Sequence, residues 1–383
     1  MSNLNKNILN KLNLFFAAFN NLSVVNNFNF INFKKLISKR FKISVFSVKY
    51  NYYTRYIEQA TALPSRWSKS FLRESFAKNE GKYVDIATLK TKECFFINDY
   101  DFVLCLADNE RVSAEISHGN NQIYNFKEIK KIFNKKKIKT IKNGIVFLHP
   151  STYNIWHHYV EVITIVYHFI TKFKNTKKKI FIPYNKDSLK ILKLLNIEDK
   201  VILFDNKQPF YSKNCEFFTG IFDEVLPISS MELCKKAIIK SISEVEEVSS
   251  FKNIFISRGD NELNRRNLVN EKAALSIIMR KYSNLHVYKP GKEDIHNNIS
   301  KIINSKNIFS LMGTQLYFNV LFCKNPKRIF EIVGENYHGF TVGELVSKFL
   351  KCKYIRLNSK NFKQGYSIYE DQLADIKNLK KKI

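Results

Sequence analysis

From Asn253 to Arg356 short apolar runs alternate with amphipathic stretches so regularly that few folds stay open to the chain. Asn253-Ile254-Phe255-Ile256-Ser257 reads as a strand and residues 268–282 as a helix. Residues 285–288, 308–311, 328–333 and 354–356 continue the strands, and 295–304, 316–322 and 342–350 continue the helices. Parallel neighbours need a connection that crosses back over the sheet, and strands separated by roughly 10–15 residues of helix supply it. The pattern predicts an α/β unit built on a parallel sheet.

The same grammar occurs earlier in weaker form. Gly144-Ile145-Val146-Phe147-Leu148, residues 179–183 and residues 201–204 read as strands, with helices over 153–170 and 187–195. A helix over 231–248 then bridges to the second set. Upstream, Cys94-Phe95-Phe96-Ile97, residues 102–106 and residues 112–116 are β-prone runs at hairpin spacing, which predicts a small antiparallel segment. The lysine-dense stretch 127–142 reads as a solvated surface helix or loop. At about 150 residues per domain, the 383-residue chain divides into a lead-in over 1–80, helical or partly disordered, and domains over 81–250 and 251–383.

Composition narrows the class. With 45% hydrophobic residues the chain is neither disordered nor collagen-like. Its net charge of +29 reflects a codon-biased genome as readily as a polyanionic partner. Six scattered cysteines form no C-x-x-C pair, which points to free thiols in a reducing compartment. No apolar run reaches the length of a membrane span, about 18 residues. The patch at 12–19 has no small-residue cleavage site, so the expectation is a cytoplasmic protein.

In open α/β sheets, ligands sit where strand carboxyl ends lead into helices. Arg258 stands at such an end, with Arg265 and Arg266 just before the next helix. Guanidinium groups gathered beside helix N–H groups suit a diphosphate, though they also suit pairing with Asp260, Glu262 or Glu271. Gly313, followed by Thr314 and Gln315, lies at another strand-to-helix turn, where a missing Cβ permits close approach of a ligand or of another chain segment. Glu331, inside an apolar strand, needs a partner, either a ribose diol or a buried cation. His157 and Glu161 share a helix face four residues apart, as an oriented general base or as a structural hydrogen bond. No third ligand is spaced to make a metal site. Asp99-Tyr100-Asp101 matches a metal-binding D-x-D pattern but falls in the hairpin region and reads as a turn.

The order Asn154-Ile155-Trp156-His157, Ser257-Arg258 with Arg265-Arg266 and Asn270-Glu271, Gly313-Thr314-Gln315-Leu316 and Phe330-Glu331-Ile332 resembles glycosyltransferase family 61 across roughly residues 83–356. The resemblance implies a GT-B fold, two Rossmann-like domains facing a cleft. It also implies inverting transfer of a sugar from a nucleotide-diphosphate sugar donor to a glycan or lipid-linked glycan acceptor, with no metal and no other cofactor. Arg258 and Arg265 would then hold the diphosphate, with the Gly313 loop against the donor, Glu331 near its ribose and His157 at the reaction centre. Met312 and Phe318 depart from the family's usual His and Asn, and His158 from its usual aromatic.

Three function classes follow. The first is a transferase for cell-surface polysaccharide, its basic surface permitting peripheral contact with an anionic inner membrane face. The second, motivated by Met312 and Phe318, is a non-catalytic partner of the same fold in a polysaccharide assembly complex. The third is a basic nucleic-acid-binding protein. No nucleic-acid module is recognisable, and the 33 Phe fall in core-like runs, so no specific nucleic-acid partner is expected.

Overall fold

The computed structural model describes residues 42–51, 83–90, 93–98, 102–107, 111–116, 137–149, 152–218, 226–245, 251–257, 268, 270–290, 294–334, 341–362 and 365–368. It is a mixed α/β protein with parallel sheets and helices, compatible with a Rossmann-like fold. Two compact units are present, Met1–Cys234 and Lys235–Ile383.

The first unit opens with strands β1 (Lys42–Asn51), β2 (Tyr83–Lys90), β3 (Glu93–Asn98), β4 (Phe102–Ala107), β5 (Arg111–Ile116), β6 (Lys139–Lys142) and β7 (Ile145–Val146). A continuous helical segment follows: α1 (Ile155–His157), a π-helical stretch (His158–Ile163) and α2 (Thr164–Lys172). Then come β8 (Ile180–Pro183), α3 (Ser188–Leu194), β9 (Val201–Phe204), β10 (Phe210–Lys213), β11 (Glu216–Phe218), β12 (Leu226–Pro227) and α4 (Ile228–Val245). The boundary between the units falls inside α4, and its second half belongs with the second unit, where Lys235 Nζ donates to the Cys323 carbonyl at 2.5 Å.

One sheet runs β12-β1-β2-β11-β7-β8-β9, the other β5-β4-β3-β10-β6. As the sequence predicts, β3, β4 and β5 pair antiparallel, Phe96 opposite Cys105 and Cys105 opposite Ser113. Apolar side chains from both sheets share a core: Phe96 stacks on Phe210 at 5.0 Å and meets Phe217 edge-on at 5.6 Å. Burying Glu216 on β11 requires partners, and Thr88 Oγ1 and Lys178 Nζ supply them, each at 2.6 Å.

Two expectations are corrected here. The lead-in was expected to be helical or partly disordered, yet residues 42–51 form β1, where Phe46, Val48 and Tyr50 alternate with Ser47 and Lys49; Lys42–Lys49 pair with β2, and Tyr50 and Asn51 with β12. Part of the lysine-dense stretch, expected as helix or loop, is strand β6, held parallel to β10 while its lysines stay exposed.

The second unit carries β13 (Asn253–Ile256), α5 (Glu271–Lys281), β14 (Leu285–Tyr288), α6 (Ile295–Ile302), β15 (Asn307–Leu311), α7 (Thr314–Val320), β16 (Arg328–Gly334), α8 (Val342–Leu350), β17 (Lys353–Phe362) and β18 (Gly365–Ile368). Its sheet order is β14-β13-β15-β16-β17-β18, parallel except for the final antiparallel pair. Near-continuous burial along β15 and β16 is what a sheet covered on both faces demands. Register partners Phe309 and Phe330 stack at 4.2 Å, and Tyr282 of the α5 end caps both edge-on. Helix α8 begins with a Thr341 cap accepting the Glu344 N–H and stops at Lys351 in the left-handed conformation. Among the described residues no helix is long and apolar enough to cross a membrane.

Candidate functional site

Strand β7 has parallel neighbours on both sides, β8 and β11. The chain leaves β7 for β8 and β9 on one side and returns to β11 on the other, so the strand order reverses at β7. Ligands of open α/β sheets sit at the carboxyl end of such a strand. Here that end leads through Phe147 and Leu148 to His149, then to α1, whose first turn is capped by Asn154 accepting the Trp156 N–H at 3.0 Å.

Glu161 lies on the π-helical stretch and points into this end. His157 Nδ1 is 2.9 Å from Glu161 Oε1, and His149 Nε2 is 2.9 Å from Oε2. The first is a hydrogen bond; the second is a charge contact without hydrogen-bond alignment. The side chains are 2% exposed for Glu161, 0% for His149 and 23% for His157. A buried carboxylate therefore sits between an enclosed imidazole and a solvent-reaching one. When the carboxylate accepts the Nδ1 proton of His157, Nε2 becomes that ring's basic atom. π-Helical insertions of this kind recur at functional sites.

His158 turns away from the pair. Its Nε2 meets Ser188 Oγ at 2.8 Å, and burial, aided by neighbouring His149, holds its pKa down to about 3. Of the adjacent histidines, only His157 engages Glu161. Sequence reasoning missed His149, although its place just beyond a buried strand's carboxyl end was the available signal.

Asparagine side chains fasten the surrounding loops. Asn98 Oδ1 accepts the His149 N–H at 2.8 Å, and Asn98 Nδ2 donates to Asn206 Oδ1 at 2.8 Å. Asn206 Nδ2 donates to the Tyr184 carbonyl at 2.8 Å. Asn185 Nδ2 reaches the carbonyls of Thr152 and Tyr153 at 2.8 and 3.1 Å. These bonds satisfy loop groups that no sheet ladder serves and join the carboxyl ends of β7, β8 and β9.

In the second unit, the parallel strands β13 to β17 run in the order 2-1-3-4-5, which puts the reversal between β13 and β15. Ser257, just past β13, donates to Glu271 Oε1 at 2.8 Å. Arg258, Arg265 and Arg266 lie outside the described residues, as do Asp99 and Asp101. Gly313 follows β15 with φ 144°, a conformation that side chains with a Cβ rarely adopt, and opens α7. Thr314 is half-buried at the start of α7, and Gln315 is the next residue of that helix. Phe318 is buried edge-on against Phe322 at 5.3 Å, and Asn319 Oδ1 accepts from Tyr288 Oη at 3.4 Å.

Glu331 occupies the middle of β16 between register partners Ser310 and Arg356 and is fully buried. Within the chain a third partner serves it, Tyr354 Oη, which donates to Oε2 at 2.8 Å. Thr341 Oγ1 lies 2.9 Å from the same phenol. Burial pushes the Glu331 pKa up, opposed by these hydroxyls, by Tyr317 and by the Arg356 charge. Gly343 of α8 packs directly on the carboxylate, where a Cβ would collide with it.

The structure thus brings His157 and Glu161 together with His149 in the first unit, and Glu331 together with Thr341, Tyr354 and Gly343 in the second. Among the described residues no group of three or more His, Cys, Asp or Glu side chains is arranged to hold a metal ion. No protein-family model matches the chain, and no curated protein matches it.

Proposed function

We propose that the chain is an inverting glycosyltransferase of the GT-B kind, acting in polysaccharide synthesis, with the acceptor side in the first unit and the donor side in the second. The observation that carries this reading is the His157–Glu161 contact at a strand-order reversal, 2.9 Å long and reaching solvent only through the histidine. His157 Nε2 takes the proton of an acceptor hydroxyl, and Glu161 stabilises the imidazolium that forms. The hydroxyl oxygen bonds to the anomeric carbon while the bond to the diphosphate breaks, and the nucleoside diphosphate leaves. Arg258 and Arg265 meet the leaving charge. Gly313, Thr314, Gln315 and Glu331 belong to the donor side.

A second reading, a non-catalytic partner of the same fold, is favoured by the burial of Phe318, which gives an aromatic core contact to a position where the family resemblance expects a polar residue. Calorimetry with UDP-, GDP-, CMP- and dTDP-sugars, with and without EDTA, separates the two. Metal-independent binding of one nucleotide class, lost in Arg258→Ala and followed by transfer, is the expected result. Donor binding without turnover selects the second reading, and no binding of any donor rejects both.

A further inference from the structure

Five large hydrophobic or aromatic side chains are exposed among the described residues: Tyr153, Tyr184, Leu189, Ile202 and Met279. Scattered single exposures are ordinary on any surface. Three of these five, however, gather at one edge of the first unit. Tyr153 precedes α1, Tyr184 directly follows β8, and Leu189 lies in the first turn of α3. Their exposures are 59%, 47% and 48%.

The backbone beneath the two tyrosines is fixed from below. Asn185 Nδ2 bonds to the carbonyl of Tyr153 at 3.1 Å, and Asn206 Nδ2 to that of Tyr184 at 2.8 Å. The Asn185 N–H is held by Ser188 Oγ at 2.9 Å. Exposed tyrosines on stapled loops leave little backbone to order when a ligand binds. His157 lies four residues beyond Tyr153, at the start of the same helical segment.

We infer that Tyr153 and Tyr184 form a stacking platform for a pyranose ring, which the transferase reading, on which this inference rests, makes a ring of the acceptor glycan. A pyranose presents an apolar face of C–H groups and a rim of hydroxyls. An aromatic face takes the first, while phenol hydroxyls and the nearby His157 take the second. An acyl chain would call for a broader apolar surface than two phenols and one leucine.

The test titrates the full chain with malto-, cello-, laminari-, manno- and chito-oligosaccharides by saturation-transfer NMR and calorimetry. Tyr153→Ala, Tyr184→Ala, the double variant and Tyr184→Trp are measured alongside. Saturable binding of at least one oligosaccharide is expected, weakened about tenfold by each single alanine, abolished in the double variant and kept by the tryptophan. All substitutions are at exposed sites, and unchanged thermal melting verifies the fold. Unchanged affinity in the double variant, no binding of any oligosaccharide, or displacement of the sugar by nucleoside monophosphates at this surface overturns the platform. Nucleotide-sugar titrations on the same samples keep the two ideas apart. Donor binding without oligosaccharide binding removes only the platform, and oligosaccharide binding without donor binding removes only the transferase.

Discussion

Glu161 and Glu331 are both taken out of water, one in each unit, and the chain compensates them with different chemistry. Glu161 has imidazoles on both carboxylate oxygens, and one of them reaches solvent. Glu331 has a phenol, a nearby threonine hydroxyl and a helix glycine packed on it, with no exposure at all. Hydroxyl partners leave burial dominant, so its pKa rises and its proton is retained more readily. An imidazole can carry or release a proton, and His157 reaches solvent, where it can exchange one. Burial of a carboxylate is thus no guide to chemistry by itself; the kind and the accessibility of its partner decide.

The comparison breaks first at His157. Under the transferase reading, His157→Ala lowers turnover roughly 10²–10⁴-fold while donor affinity stays within twofold, and Glu161→Gln moves turnover the same way. Steady-state kinetics beside donor calorimetry measure this. Unchanged turnover in both variants reduces the Glu161 cluster to a structural device like that around Glu331.

Next in size is an acid limb of stability near the Glu161 cluster. His158 is held down to about 3 in the folded chain against 6.5 ordinarily, so between those values the unfolded chain binds more protons. Its contribution is complete above pH 6.5 and is lost as pH falls toward 3, by up to a few kcal/mol. Urea titrations from pH 7 to 4 should show the loss, and His158→Gln should flatten it. An equal slope in that variant removes His158 as the source.

The sequence made different amounts of the two regions legible. Strands β13 to β16 stood out because a parallel sheet covered on both faces leaves uninterrupted apolar runs such as Ile308-Phe309-Ser310-Leu311. Strand β6 carries one buried side chain, Ile141, amid exposed neighbours, too little for any pattern to register. Strands β10 and β11 gain their places from partners far off in the chain, β3 and β2, which local periodicity cannot report. The His157–Glu161 contact was readable because helix spacing fixes it. His149 was not, since its approach to Oε2 depends on how the β7 loop meets the helix. The Tyr354 phenol likewise arrives from a neighbouring strand, so the sequence showed that Glu331 needed a partner but not which one.

A smaller effect is expected where α8 meets Glu331. Gly343→Ala places a methyl on the carboxylate and should cost about 1–3 kcal/mol in urea unfolding. The same substitution in a Glu331→Ala background should cost much less, because the colliding group is gone. Additive losses would mean that the two sites do not share this contact.

The smallest effect separates structure from ligand binding at Glu331 itself. Glu331→Gln keeps the volume and an oxygen for the Tyr354 phenol, so stability at pH 7 should stay within about 1 kcal/mol of the wild type. The sign of its pH dependence is fixed by the raised pKa. Stabilisation by the protonated acid is complete below the ordinary carboxylate range and is lost as pH rises through the folded value. The amide cannot ionise, so the variant should gain on the wild type with rising pH, opposite in direction to the acid limb set by His158. Parallel stability curves would show that the carboxylate is already relieved of its burial. If the gain appears and donor affinity is unchanged, the role of Glu331 is to hold Tyr354 and α8 in place; a tenfold loss of donor affinity in the same variant would assign it to the ribose.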